Sequence, residues 1–137
     1  MPLRAHGSLL AADVGELVGV SGTTIGQWAR HGYIRPSQSA DLPHVYSVED
    51  VGEAAIVAEL LSRGVRHADV RAAIERLRSY GSWPLSEARL ATTTDGPRPC
   101  ILLHEKDRRF LLTERGWQLV VIAPSCDEVR LRLRHAA

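Results

Sequence analysis

Gly19-Val20-Ser21 constrains this chain more than any other stretch, because it ends one helical pattern and starts another. On its N-terminal side, Ala11, Val14, Leu17 and Val18 repeat at i, i+3, i+6 and i+7, the apolar stripe of a short amphipathic helix. Gly19 accepts the positive φ that closes such a helix, Val20 supplies an apolar plug, and the Ser21 hydroxyl can cap the free N–H groups of the next helix. That second helix is predicted to begin near Gly22, to run through Thr23, Thr24, Ile25, Gln27, Trp28 and Arg30, and to stop at His31-Gly32. Two short helices joined by a glycine-containing turn make a helix-turn-helix.

Beyond it, Tyr33 to Pro36 reads as extended, Ser37 to Pro43 as a polar turn, and His44 to Ser47 as a second extended piece, together a small β-wing. Ser47 followed by Asp50 is a capping pattern for a third helix over Val51–Arg63, and Val70, Ala73, Ile74 and Leu77 mark a fourth over Ala68–Leu77. Tyr80-Gly81-Ser82-Trp83-Pro84 stops the helical half, and Ala91 to Gly96 reads as a loop. Ile101–Glu105 and Phe110–Thr113 predict a β-hairpin around Lys106 to Arg109, and Trp117–Ala123 a third, largely buried strand. Val129 to Arg134 alternates strictly, which favours a strand with an arginine face, although Ser125 and Glu128 also fit the capping box of a short helix. The expected architecture is α+β: a winged helix-turn-helix of four short helices over residues 8–80, a linker over 81–98, and a small β-rich region over 99–137 for dimerisation or partner binding.

Composition narrows the function classes. With 45% hydrophobic and 24% charged residues in 137, the chain has the balance of a soluble globular protein. The formal net charge is only +1, so any nucleic-acid binding must rest on a local patch. Leu119 to Ala123, as long as any strictly apolar run in the chain, falls short of the roughly 20 residues of a membrane helix, and no signal segment opens the chain, so a cytoplasmic location without membrane partners is expected. Cys100 and Cys126 form no CxxC pair, and His31, His44 and His67 have no further ligands at metal spacing, so neither a metal nor another cofactor is expected. No nucleophile with its base, no carboxylate pair and no phosphate-cradling glycine loop stands out, which argues against an enzyme.

Taken in order, Val14-Gly15-Glu16-Leu17-Val18-Gly19-Val20-Ser21, Thr24-Ile25 with Trp28, Gly32-Tyr33-Ile34-Arg35-Pro36, Tyr46-Ser47-Val48-Glu49-Asp50-Val51 and Leu60-Leu61-Ser62-Arg63-Gly64-Val65 resemble the DNA-binding domain of the MerR family of bacterial regulators. The resemblance covers about half the chain, Leu9 to Leu77. It implies that the second helix enters the major groove of double-stranded DNA, with Thr23 and Gln27 facing base edges, Ser21 and Thr24 capping and touching phosphate, and Trp28 and Arg30 buttressing or contacting the sugar-phosphate. In the wing it implies phosphate contacts from Arg35, His44 and Tyr46. Family members commonly carry arginine at the positions of Thr23, Gly26 and His44, so this chain is expected to bind with a shallower salt dependence.

The family's long dimerising helix has no counterpart after Tyr80. The expected function is a sequence-specific transcriptional regulator acting as a homodimer on paired half-sites. A looser resemblance, to MerR-like antitoxins, implies the alternative: a partner protein (toxin) neutralised through the C-terminal region, with Arg130, Arg132 and Arg134 as partner-binding residues and DNA binding serving autoregulation.

Overall fold

The computed structural model describes residues 6–93, 97–120 and 126–136. Helices α1 (Ala11–Val18) and α2 (Gly22–Arg30) form where the sequence breaks at Gly19, whose φ of 91° lies in the left-handed region. Ser21 caps α2 by accepting the Thr24 N–H at 3.1 Å. Helix α3 (Val48–Ser62) begins earlier than its apolar periodicity alone suggests, because Ser47 and Asp50 form a reciprocal cap. The Asp50 N–H donates to Ser47 Oγ at 3.2 Å, and the Ser47 N–H donates to Asp50 Oδ2 at 2.9 Å. Helix α4 (His67–Arg76), a 3-10 turn over Arg78–Tyr80 and helix α5 (Pro84–Glu87) complete the helical part. Between α2 and α3 the isolated bridge Ser39↔Val45 stands where the β-wing was expected, and Tyr46 bridges back to Leu9 ahead of α1.

Four antiparallel strands follow in chain order, β1 (Arg89–Thr93), β2 (Cys100–Glu105), β3 (Arg108–Thr113) and β4 (Gly116–Leu119). The β2–β3 hairpin turns tightly at Lys106-Asp107, with Lys106 at φ 57°. Period-two alternation sends Leu90, Ile101, Leu103, Phe110, Leu112 and Trp117 to one face of the sheet. That face joins the helices: a continuous cluster runs from Val14, Ile25 and Trp28 through Tyr46, Val57 and Leu77 to Leu85, Ile101, Leu103 and Leu112. The arrangement is α+β, helices first and sheet second.

Three expectations are corrected. The 81–98 segment carries α5 and β1 rather than being only linker. Pro84 suits the first helical position, and the free N–H groups of Leu85 and Ser86 are satisfied by the Glu53 carboxylate of α3 at 3.2 and 2.6 Å, a cap from a distant element. The alternating C-terminal run is helix α6 (Cys126–Ala136), not a strand. Leucine and arginine are strong helix formers and Val129 is the only β-branched residue there, so local propensity outweighs the alternation. Finally, β4 is short and largely open: Leu119 is exposed, because β4 lies at the end of the sheet order. Residues 121–123 of that expected strand, with the 94–96 part of the expected loop and Ser125, lie outside the described residues. Among the described residues no helix is long and apolar enough to cross a membrane.

Candidate nucleic-acid interface

Helix α2 has one face in the core and one in solvent. Ile25 and Trp28 are buried, whereas Thr23, Gln27 and Arg30, at i, i+4 and i+7, share the exposed side. Ser21 is exposed and its hydroxyl lies 2.9 Å from Thr24 Oγ1, so the cap fixes both hydroxyls at the helix start. No acidic residue occupies the first turn of α2, which leaves the positive end of its peptide dipoles unopposed there.

Two glycines hold α2 against α1. A Cβ on Gly15 would come within 2.5 Å of the Val20 carbonyl oxygen, and one on Gly22 within 3.1 Å of the Ala12 Cα. The neighbours are backbone atoms that cannot rotate aside, so the angle between the helices depends on the absence of both side chains. Gly26 differs: the nearest atom to an added Cβ there is an Arg30 guanidinium nitrogen at 4.0 Å. Its missing side chain leaves open space on the side of the helix that carries Thr23 and Arg30.

The segment after α2 is fixed from two directions. Tyr33, buried, places its hydroxyl 2.9 Å from His67 Nδ1 and stacks on that ring, tying the exit of α2 to the start of α4. Asp50 holds the other side: its Oδ2 accepts the Ser37 N–H at 2.8 Å and lies 2.7 Å from Ser37 Oγ. Arg35 sits between these anchors and is exposed.

The structure therefore brings together Ser21, Thr23, Thr24, Gln27 and Arg30 on α2, with Arg35 exposed in the following segment. It sets apart from them Tyr46, expected at phosphate, and Trp28, expected to buttress or contact the sugar-phosphate. Tyr46 is fully buried, its backbone paired with Leu9, and a side chain with no accessible surface reaches no phosphate in this conformation. Burial raises its phenol pKa, the Asp50 charge adds to the rise and Arg30 opposes it. Trp28, 5% exposed, is a packing residue for the same reason. His44 is half-buried, with its ring edge-on to Tyr46 at 6.4 Å.

Arg130, Arg132 and Arg134 are all exposed, but on α6 only Arg130 and Arg134, at i and i+4, share a face, and Arg132 leaves it. Arg130 lies 3.9 Å from Asp127, an exposed pair of little energetic weight. The sequence reading missed the close approach at Gly15 and Gly22 and the Ser37–Asp50 anchor. A glycine inside the α1 pattern was the available signal for the first, while the second is a contact between elements that no local pattern encodes.

Residues 11–77 match a family model described as MerR HTH family regulatory protein. The match opens with the first residue of α1 and closes just past α4, leaving the four-stranded sheet outside it. No curated protein matches the chain.

Proposed function

We propose that this chain, whose residues 11–77 are a MerR-family helix-turn-helix domain, regulates transcription by binding as a homodimer to a pair of DNA half-sites. DNA-binding regulation is the activity of the family, whose members are in general not enzymes. The observation that carries the finer reading is the exposed Thr23–Gln27–Arg30 face of a capped helix whose opposite side is locked in the core. Gln27 can pair bidentately with the N6 and N7 of adenine, and Thr23 can meet a thymine methyl. Arg30 and Arg35 supply phosphate contacts that set register. Two copies are required on this reading because one short helix spans few base pairs, and half-sites a helical turn apart combine their discrimination.

A second reading assigns the C-terminal region to a protein partner, as in an antitoxin. What favours it is the exposure of Leu119, Val120, Leu131 and Leu133 in a region outside the family match.

The test is binding of the purified chain, across a salt series, to the duplex upstream of its own coding sequence and to a scrambled duplex of equal length. Preference for the native duplex with a two-to-one protein-to-duplex stoichiometry is expected. Equal weak binding to both would overturn the sequence-specific reading.

A further inference from the structure

The sheet has a second face that the core does not use. Cross-strand register places Ala91, Leu102, Leu111 and Gln118 directly opposite one another in a row across β1 to β4. The adjacent row is Arg89, His104 and Arg109. Residues paired directly across an antiparallel ladder project to the same side, and this side is opposite to buried Ile101, Leu103 and Leu112. Leu102 and Leu111 are not among the side chains packed on the core cluster.

Arg89 and Arg109 are exposed and flank His104 across the sheet, and among the described residues neither arginine has an ion-pair partner. The two arginines lie beside an apolar strip, which is the anatomy of an interface: an apolar centre with a charged edge. We propose that this outer face of the sheet binds a protein segment that presents apolar side chains flanked by carboxylates. The proposal rests on the partner-binding reading of the C-terminal region and gives that reading a face and a chemistry.

Charge decides between occupants. A second copy docking face to face would meet the same basic groups and gains nothing from them. DNA would satisfy the arginines but would set phosphates against the Ala91–Leu102–Leu111 strip, burying apolar surface against polar atoms that need water. An acidic segment with apolar anchors satisfies both rows.

The probe is a synthetic peptide of alternating leucine and glutamate, titrated into the full chain by calorimetry or fluorescence, with a leucine–lysine peptide and a random-sequence duplex as comparators. The expected result is one-to-one binding of the leucine–glutamate peptide, weakened at least about tenfold by Arg89→Glu with Arg109→Glu. The leucine–lysine peptide should bind that double variant in preference to the native chain. Leu102→Ser is expected to weaken both peptides on their respective chains. Because all the charge-reversed side chains lie on the surface, circular dichroism should show the native fold retained. If the leucine–glutamate peptide fails to bind, or binds with an affinity unchanged by charge reversal, the proposal is overturned. Loss of binding on Leu131→Asp with Leu133→Asp, and not on charge reversal, would overturn this face while keeping a partner site on α6. Duplex binding to the native chain that the double reversal abolishes would instead assign the face to nucleic acid.

Discussion

The indole N–H of Trp83 donates to Asp50 Oδ1 at 2.9 Å, in a site where Asp50 is 1% exposed. The other oxygen of the same carboxylate accepts from Ser47 and Ser37. One side chain on α3 therefore joins the segment after α2, the cap of α3 and the chain leading into the sheet. A buried carboxylate is tolerated when its lone pairs are filled in this way, and removing one donor exposes the desolvation cost. Trp83→Phe removes the donor together with part of the ring volume. It is expected to lower unfolding free energy by about 1.5–3 kcal/mol in a denaturant titration. Asp50→Asn, which turns an NH2 group toward existing donors, is expected to cost more.

The glycines of the first two helices make opposite predictions. Gly15→Ala forces a Cβ onto the Val20 carbonyl, so α1 and α2 must separate; stability should fall by about 1–3 kcal/mol, and DNA binding with it. Gly26→Ala meets nothing nearer than a flexible guanidinium and should raise stability by about 0.5–1 kcal/mol. Thermal melts of the two variants check both signs. Gly26→Arg should in addition steepen the salt dependence of DNA binding by about one unit if its guanidinium gains a phosphate.

Two carboxylates on α3 should titrate in opposite senses. Hydrogen bonds from the ring and backbone N–H of His6, at 2.7 and 2.9 Å, hold Glu49 down to about 2. Its contribution to stability is thus present above its ordinary value of 4.5 and is lost as pH falls from there through about 2. Burial raises Glu53 above the same ordinary value, against the opposing hydrogen bonds from Ser86 and Leu85. Its contribution is largest below 4.5 and declines as pH rises through its raised value. A carbon-detected NMR titration of the side-chain carboxyls should give midpoints on either side of 4.5. A Glu49 midpoint at or above its ordinary value would contradict the His6 pairing.

What the sequence made legible was local. Ser21 and Ser47 announce helix starts because a hydroxyl cap is a contact within three residues, and Gly19 announces an end because only the backbone decides it. The outward-facing side chains expected on α2, Thr23 and Gln27, came from the family resemblance rather than from spacing. The long-range contacts were not legible. Nothing near Pro84 signals that Glu53 will cap α5, and nothing near Tyr46 signals that its ring will be enclosed rather than turned to solvent. At Val129 to Arg134 two local signals competed, and the helix propensity of leucine and arginine outweighs the alternation.

On the proposed function, α2 reads bases while the segment after it grips the backbone. The most direct measurement compares Gln27→Ala and Arg35→Ala on the native upstream duplex and its scrambled counterpart across a salt series. Gln27→Ala should cost about 1–3 kcal/mol on the native duplex and little on the scrambled one, leaving the salt slope unchanged. Arg35→Ala should weaken both duplexes alike and reduce the slope by about one unit. Equal loss on both duplexes from Gln27→Ala would contradict the assignment of α2 as the reading helix.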